Sequence, residues 1–122
     1  QSPIGLYNEV DIALDTFPYN GTTTTFEALW VGVPVVAVKG ERHAGRVGAS
    51  ILSTLNLTDL LAESVSDYQR LTIELAQSPE RLIFFRENLR IILEGSALMD
   101  GPAFANKMEA AFRNIWHEWC CS

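Results

Sequence analysis

The segment with the clearest chemical content is Asp15-Thr-Phe-Pro-Tyr-Asn-Gly-Thr-Thr-Thr-Thr-Phe-Glu-Ala-Leu-Trp-Val-Gly-Val-Pro-Val-Val. An apolar run leads into a loop holding Pro18, Asn20 and Gly21, and four threonines then precede Phe26-Glu-Ala-Leu-Trp, which reads as a helix start. A helix N-terminus offers N–H groups with no partner inside the helix, together with the positive end of the helix dipole. A diphosphate is the ligand that such an end suits. Gly21 lets the backbone approach a phosphate closely, and Thr23 and Thr24 can add hydroxyl hydrogen bonds. Glu27 lies one turn beyond Thr23 and Thr24 on the same face, where a carboxylate can accept bonds from ribose hydroxyls. The same residues also have a purely structural reading. Threonines ahead of a helix cap it, and an early glutamate complements its dipole.

Other residues with chemical potential are sparser. His43 stands at a loop-to-helix junction, and histidine is the residue type suited to general-base work near neutral pH, though an ordinary first-turn residue reads equally well there. Arg46, three residues on, reads either as a phosphate contact or as the partner of Glu41. Lys39 falls in a different loop from the threonines and is not assigned to the site. His117 reads as structural, and Trp116 and Trp119 as core or lobe-contact residues rather than a sugar platform. Cys120 and Cys121 are adjacent, which disfavours a mutual bridge, and they have no metal-ligand spacing; they read as two reduced thiols on a cytosolic tail. There is no Asp-x-Asp motif, and no metal is expected. Asn-x-Ser/Thr triplets at Asn20 and Asn56 are discounted as chance.

Several elements must position these residues. Residues 1–8 read as a frayed start. Val10–Leu14 and Pro34–Val38 read as buried strands, the second an unbroken β-branched run of the kind covered on both faces in a parallel sheet. The helix after the threonines ends at Gly32, a second helix spans His43–Leu55, and Leu57–Ala62 holds a short third strand. Three helices follow. One runs over Ser66–Gln77 behind the capping candidate Ser64, one opens at Ser78–Pro79 and reaches about Glu94, and the last opens at Gly101–Pro102. Strand–helix–strand–helix–strand is half of a doubly wound α/β domain, so the chain reads as one piece whose companion strands lie upstream.

Composition narrows the function classes. A length of 122 residues argues for one domain, and 48% hydrophobic against 20% charged residues supports a real core. The longest apolar stretches fall well short of the ~20 residues that cross a bilayer, and no secretory leader pattern opens the chain, so a cytoplasmic, membrane-free protein is expected. A net charge of −6 and a pI near 4.8 argue against nucleic acid as a partner. An anion can still be held locally by backbone amides.

The long motif resembles the donor-binding segment of the O-GlcNAc transferase family, which includes the plant SPINDLY-type O-fucosyltransferases. The resemblance rests on Asp11 through Trp30, then Gly32-Val-Pro-Val-Val, His43-Ala-Gly-Arg-Val-Gly-Ala-Ser, Gly101-Pro-Ala-Phe-Ala and Glu109-Ala-Ala-Phe-Arg-Asn-Ile-Trp, nearly the whole chain. It implies the C-terminal, Rossmann-like half of the second lobe of a two-lobed GT-B glycosyltransferase, preceded in the full protein by another lobe and tandem helical repeats. By the same resemblance Gly21, Thr22, Thr23 and Thr24 meet the donor diphosphate and Glu27 holds the ribose, with Asn20, His43 and Arg46 as further candidates. The family's catalytic base and its diphosphate-neutralising lysine lie outside this chain, so no catalytic residue is assigned. The implied reaction moves a sugar from UDP-GlcNAc, or alternatively GDP-fucose, to protein serine or threonine hydroxyls without a metal cofactor. The competing reading is a non-catalytic interaction module presenting Phe84, Phe85, Phe104, Phe112, Trp116 and Trp119. On either reading a half-lobe leaves surface uncovered, and self-association is expected.

Overall fold

A computed structural model of the chain describes residues 3–122; Gln1 and Ser2, part of the stretch expected to fray, lie outside the described residues. Within that stretch the chain forms a short helix, α1 (Pro3–Leu6), and a single 3-10 turn over Tyr7–Glu9. Then come β1 (Ala13–Leu14), α2 (Thr23–Trp30), β2 (Val35–Val38), α3 (Val47–Thr54), β3 (Leu61–Ala62), α4 (Val65–Ala76), α5 (Pro79–Glu94) and α6 (Gly101–Cys121). The three strands form a parallel sheet in the order β1-β2-β3. Ala13 pairs with Val35 and Leu14 with Val36, while Ala37 pairs with Leu61 and Val38 with Ala62.

β2 is the centre of the core. Val35, Val36 and Ala37 are buried, as the unbroken apolar run predicts. α2, α3 and α4 all pack on β2, and α5 lies against α2 and α4. Leu29, Leu52, Leu75, Leu89 and Leu93 complete the apolar cluster from those four helices. The expected α/β half with parallel strands followed by C-terminal helices is therefore the fold observed.

Three expected boundaries shift, each for a physical reason. The first strand shrinks from Val10–Leu14 to Ala13–Leu14. Arg86 of α5 donates to the carbonyl of Val10 at 2.7 Å, so that carbonyl is satisfied by a side chain instead of a ladder. The helix expected over His43–Leu55 is a 3-10 turn, His43–Gly45, followed by α3. An unbroken helix needs the carbonyls of Ala44 and Gly45 for the N–H groups four residues on. Here Asn20 N–H takes the Ala44 carbonyl at 2.8 Å, and Gly40 N–H takes that of Gly45 at 2.7 Å. The third strand keeps only Leu61–Ala62 because Thr58–Leu60 coils into a 3-10 turn.

The ends of the later helices follow the sequence reading. The Ser64 side chain caps α4 by accepting from Asp67 N–H at 3.1 Å. Pro79 opens α5, and the Asp100 side chain caps α6. α6 differs from α2 to α5 in having no buried residue. Trp116 and Trp119, expected as core or lobe contacts, stack on each other at 5.3 Å while 60% and 69% exposed, so they are not core here. Phe85, grouped in the sequence with a partner-facing surface, belongs to the core.

Gly32 carries the turn from α2 into β2 with φ +87°, in the left-handed region. A Cβ there would lie 2.6 Å from the Arg86 carbonyl oxygen, so both backbone strain and a backbone clash oppose any side chain. Gly32→Ala is expected to cost on the order of 1–3 kcal/mol of stability. Chemical denaturation measures it, and an unchanged midpoint would contradict this account of the turn.

Candidate functional site

The loop from Asp15 to Gly21 leaves the carboxyl end of β1 and is fastened at both ends by side chains. Asp15 is buried, and its Oδ1 accepts the N–H of Gly21 at 2.8 Å. Its Oδ2 is buried without a hydrogen-bond partner. Burial raises the Asp15 carboxyl above its ordinary value, against the lowering effect of the Gly21 and Thr16 amides. Asn20, 1% exposed, donates from Nδ2 to the Thr16 carbonyl at 2.9 Å and accepts Gly48 N–H on Oδ1 at 3.1 Å. α4 supports the loop from Tyr68, whose hydroxyl donates to the Asp15 carbonyl at 3.0 Å and whose ring meets Phe17 edge-on at 5.6 Å. The Phe17–Pro18 peptide bond is cis.

Gly21 leads into α2. A Cβ on it would meet Thr24 Oγ1 at 2.6 Å and Thr25 Oγ1 at 3.2 Å, so a side chain there would push on the threonine hydroxyls. The threonines do not cap the helix as expected. Thr22 occupies the N-cap position without a side-chain cap bond, and Thr25 turns its hydroxyl back to the Gly21 carbonyl at 3.2 Å. Thr22, Thr23 and Thr24 are exposed, and among the described residues their hydroxyls have no protein partner. Those hydroxyls, with the unpaired amides of the first turn, make the open end of α2 a donor-rich surface.

The candidate residues gather in adjoining recesses. Thr22, His43 and Arg46 line one cavity of about 650 Å³ between α2 and α3, with Phe26 and Ser50 on its walls. Lys39, set aside in the sequence reading as lying in another loop, lines the same cavity. The signal that could have found it is its place just past the carboxyl end of a central parallel strand, where ligands of open α/β sheets collect. Its exposed pair with Glu63, at 3.5 Å, restrains it little. Arg46 makes no ion pair with Glu41 among the described residues. Thr23 and the half-buried Glu27 face a second recess of about 300 Å³ with Phe26, Trp30, Leu93 and Met99. Gly21 and Thr24 line a third, of about 130 Å³, with Asp15 and Tyr7. The threonine end of α2 is where the three adjoin. Among the described residues no three His, Cys, Asp or Glu side chains gather as metal ligands, and no helix is long and apolar enough to cross a membrane.

A parallel three-stranded sheet with a hydroxyl-rich helix end at its carboxyl edge defines the class: a Rossmann-like α/β half of the GT-B kind. Residues 7–108 match the model of glycosyl transferase family 41, and the chain belongs to that family. It is 46% identical over 114 residues to a protein of Eustoma exaltatum subsp. russellianum named probable UDP-N-acetylglucosamine–peptide N-acetylglucosaminyltransferase SPINDLY, and 44% identical to the Arabidopsis thaliana protein of the same name. Each alignment covers 93% of this chain and 12% of the relative, so the chain spans about an eighth of their length. Among solved structures it resembles a lysine-to-methionine mutant of the Thermobaculum terrenum O-GlcNAc transferase, with a TM-score of 0.88 and 38% identity. That likeness covers 96% of this chain and 22% of the other.

Proposed function

We propose that this chain is the donor-diphosphate half of a glycosyltransferase that moves GlcNAc from UDP-GlcNAc to protein serine or threonine hydroxyls. The observation that carries the reading is the open N-terminus of α2, with three unpartnered threonine hydroxyls at the carboxyl edge of the sheet. In this reading the amides and hydroxyls of Thr22, Thr23 and Thr24 receive the diphosphate, and Gly21 lets the chain turn tightly beneath it. Glu27 accepts from the ribose hydroxyls. His43, Arg46 and Lys39 line the flank of the site, where Arg46 and Lys39 supply positive charge toward the leaving diphosphate. No metal is needed where amides, dipole and cations share that charge. GDP-fucose is the second donor considered, on the Phe17-Pro18-Tyr19 and four-threonine pattern that resembles the SPINDLY branch.

Transfer also requires an aligned acceptor and a group that handles its proton, and these belong to upstream parts of a longer polypeptide. α6 supplies the means of joining them. Phe104, Met108, Phe112, Ile115, Trp116 and Trp119 fall on one stripe of a helix with no buried residue, and that stripe packs against the other lobe and its helical repeats. The free thiols of Cys120 and Cys121 fit a cytoplasmic setting.

Two outcomes are expected. In the longer enzyme, Glu27→Gln lowers donor affinity about tenfold, the scale of a hydrogen bond to a charged acceptor, and the deficit vanishes with a 2′,3′-dideoxyribose donor. An equal deficit with both donors would remove Glu27 from the ribose. Residues 1–122 alone are expected to give no sugar transfer to a peptide library and to self-associate in sedimentation through the α6 stripe. Robust donor-dependent transfer would mean the chain holds its own proton-handling group, with His43 the first residue to examine.

A further inference from the structure

A buried carboxylate with one unpartnered oxygen opposes folding unless it performs a task that a neutral side chain would not perform as well. Asp15 is such a group: 7% exposed, Oδ2 without a partner, and no cation among its hydrogen-bond partners. The space for Oδ2 is made by α3, since a Cβ on Gly48 would lie 2.6 Å from it and 3.0 Å from the Ala37 Cβ. Asp15 Oδ1 accepts the N–H of Gly21, the residue immediately before the N-cap of α2. Drawing that amide inward fixes the direction in which the backbone enters the helix. The amides and hydroxyls of Thr22 to Thr24 are then left at the open end.

We propose that Asp15 is a positioning residue of the donor loop, its carboxyl acting as the buried acceptor that holds Gly21 and so aims the threonine end of α2. The proposal rests on the reading of that end as the diphosphate site. Asp15 does not touch the donor; it acts through Gly21. Gly48 is the second half of the device, because its missing side chain leaves room for the carboxyl and its N–H holds Asn20 at the other end of the same loop. The ionisable side chains around Asp15 are the phenols of Tyr7 and Tyr68. Because burial raises the carboxyl, the fold favours its protonated form. That stabilising contribution is complete at low pH and is lost as pH rises through the folded-state value, so the charged carboxylate costs stability at neutral pH. Asp15→Asn removes this cost and keeps an oxygen for Gly21.

The test uses residues 1–122 with two readouts, amide hydrogen exchange at Gly21 and calorimetric affinity for UDP and GDP. Asp15→Ala is expected to speed Gly21 exchange and to weaken nucleotide binding, each by about tenfold or more. Asp15→Asn is expected to stay within about threefold of the parent on both, and its stability should vary less with pH. Gly48→Ala, which pushes on Oδ2 from the neighbouring helix, is expected to fall between them. Unchanged Gly21 exchange in Asp15→Ala overturns the proposal. So does an Asn variant as impaired as the Ala variant, since the charge and not the acceptor would then be required. Should Asp15→Ala fail to fold, Asp15→Asn and Gly48→Ala decide the matter by the same criteria. A parent chain that binds neither nucleotide contradicts the diphosphate reading, and Gly21 exchange still judges whether Asp15 fixes the loop.

Discussion

The carboxyl edge of the sheet depends on Asn20, which takes the place of a helical turn. Its N–H occupies the carbonyl of Ala44, and its Oδ1 receives the N–H of Gly48. In an unbroken helix that carbonyl and that N–H would bond to each other. One buried residue, through its backbone N–H on Ala44 and its Oδ1 on Gly48, thus ends the 3-10 turn at His43–Gly45 and sets where α3 begins, while its Nδ2 on the Thr16 carbonyl braces its own loop. These bonds join the Asp15–Gly21 loop to the loop bearing His43 and Arg46. The amide of the Asn20 triplet is committed inside the fold, bonded to the Thr16 carbonyl.

Beneath that frame, β2 sets the geometry. Among the described residues it is the one strand paired on both edges, and the helices that pack on it bury Val35, Val36 and Ala37. Parallel pairing brings the ends of β1 and β2 to the same edge, so Asp15 and Lys39, far apart in sequence, both come to stand beside the threonine end of α2. At the opposite edge Arg86 of α5 donates to the carbonyls of Tyr7, Val10 and Val31 and closes the sheet's amino end. Short strands suffice because the edges are held by side chains.

Much of this was legible in the residues. The apolar run at Val35–Val38, the cap at Ser64 and the proline starts at Pro79 and Pro102 are local signals, and the elements stand where those signals put them. The threonine segment was legible as a helix end with free N–H and O–H groups. What local pattern missed are long-range substitutions of one hydrogen bond for another: Asn20 interrupting a helix 24 residues away from it, and Arg86 replacing a ladder at Val10. Lys39 was missed for a related reason, since only the parallel register brings its loop beside Thr22. The bareness of α6 is legible in the sequence as an apolar stripe of Phe104, Met108, Phe112, Ile115 and Trp119 on one helix.

The central claim is that the threonine end of α2 receives a nucleoside diphosphate. It is tested most directly by following the backbone amide resonances of residues 1–122 as UDP, and separately GDP, is added. The account predicts the largest shifts at Thr22, Thr23 and Thr24, with smaller ones at Glu27 and Lys39 and none along α6. A folded chain in which millimolar nucleotide moves no amide, or moves only amides remote from Thr22–Glu27, would contradict it.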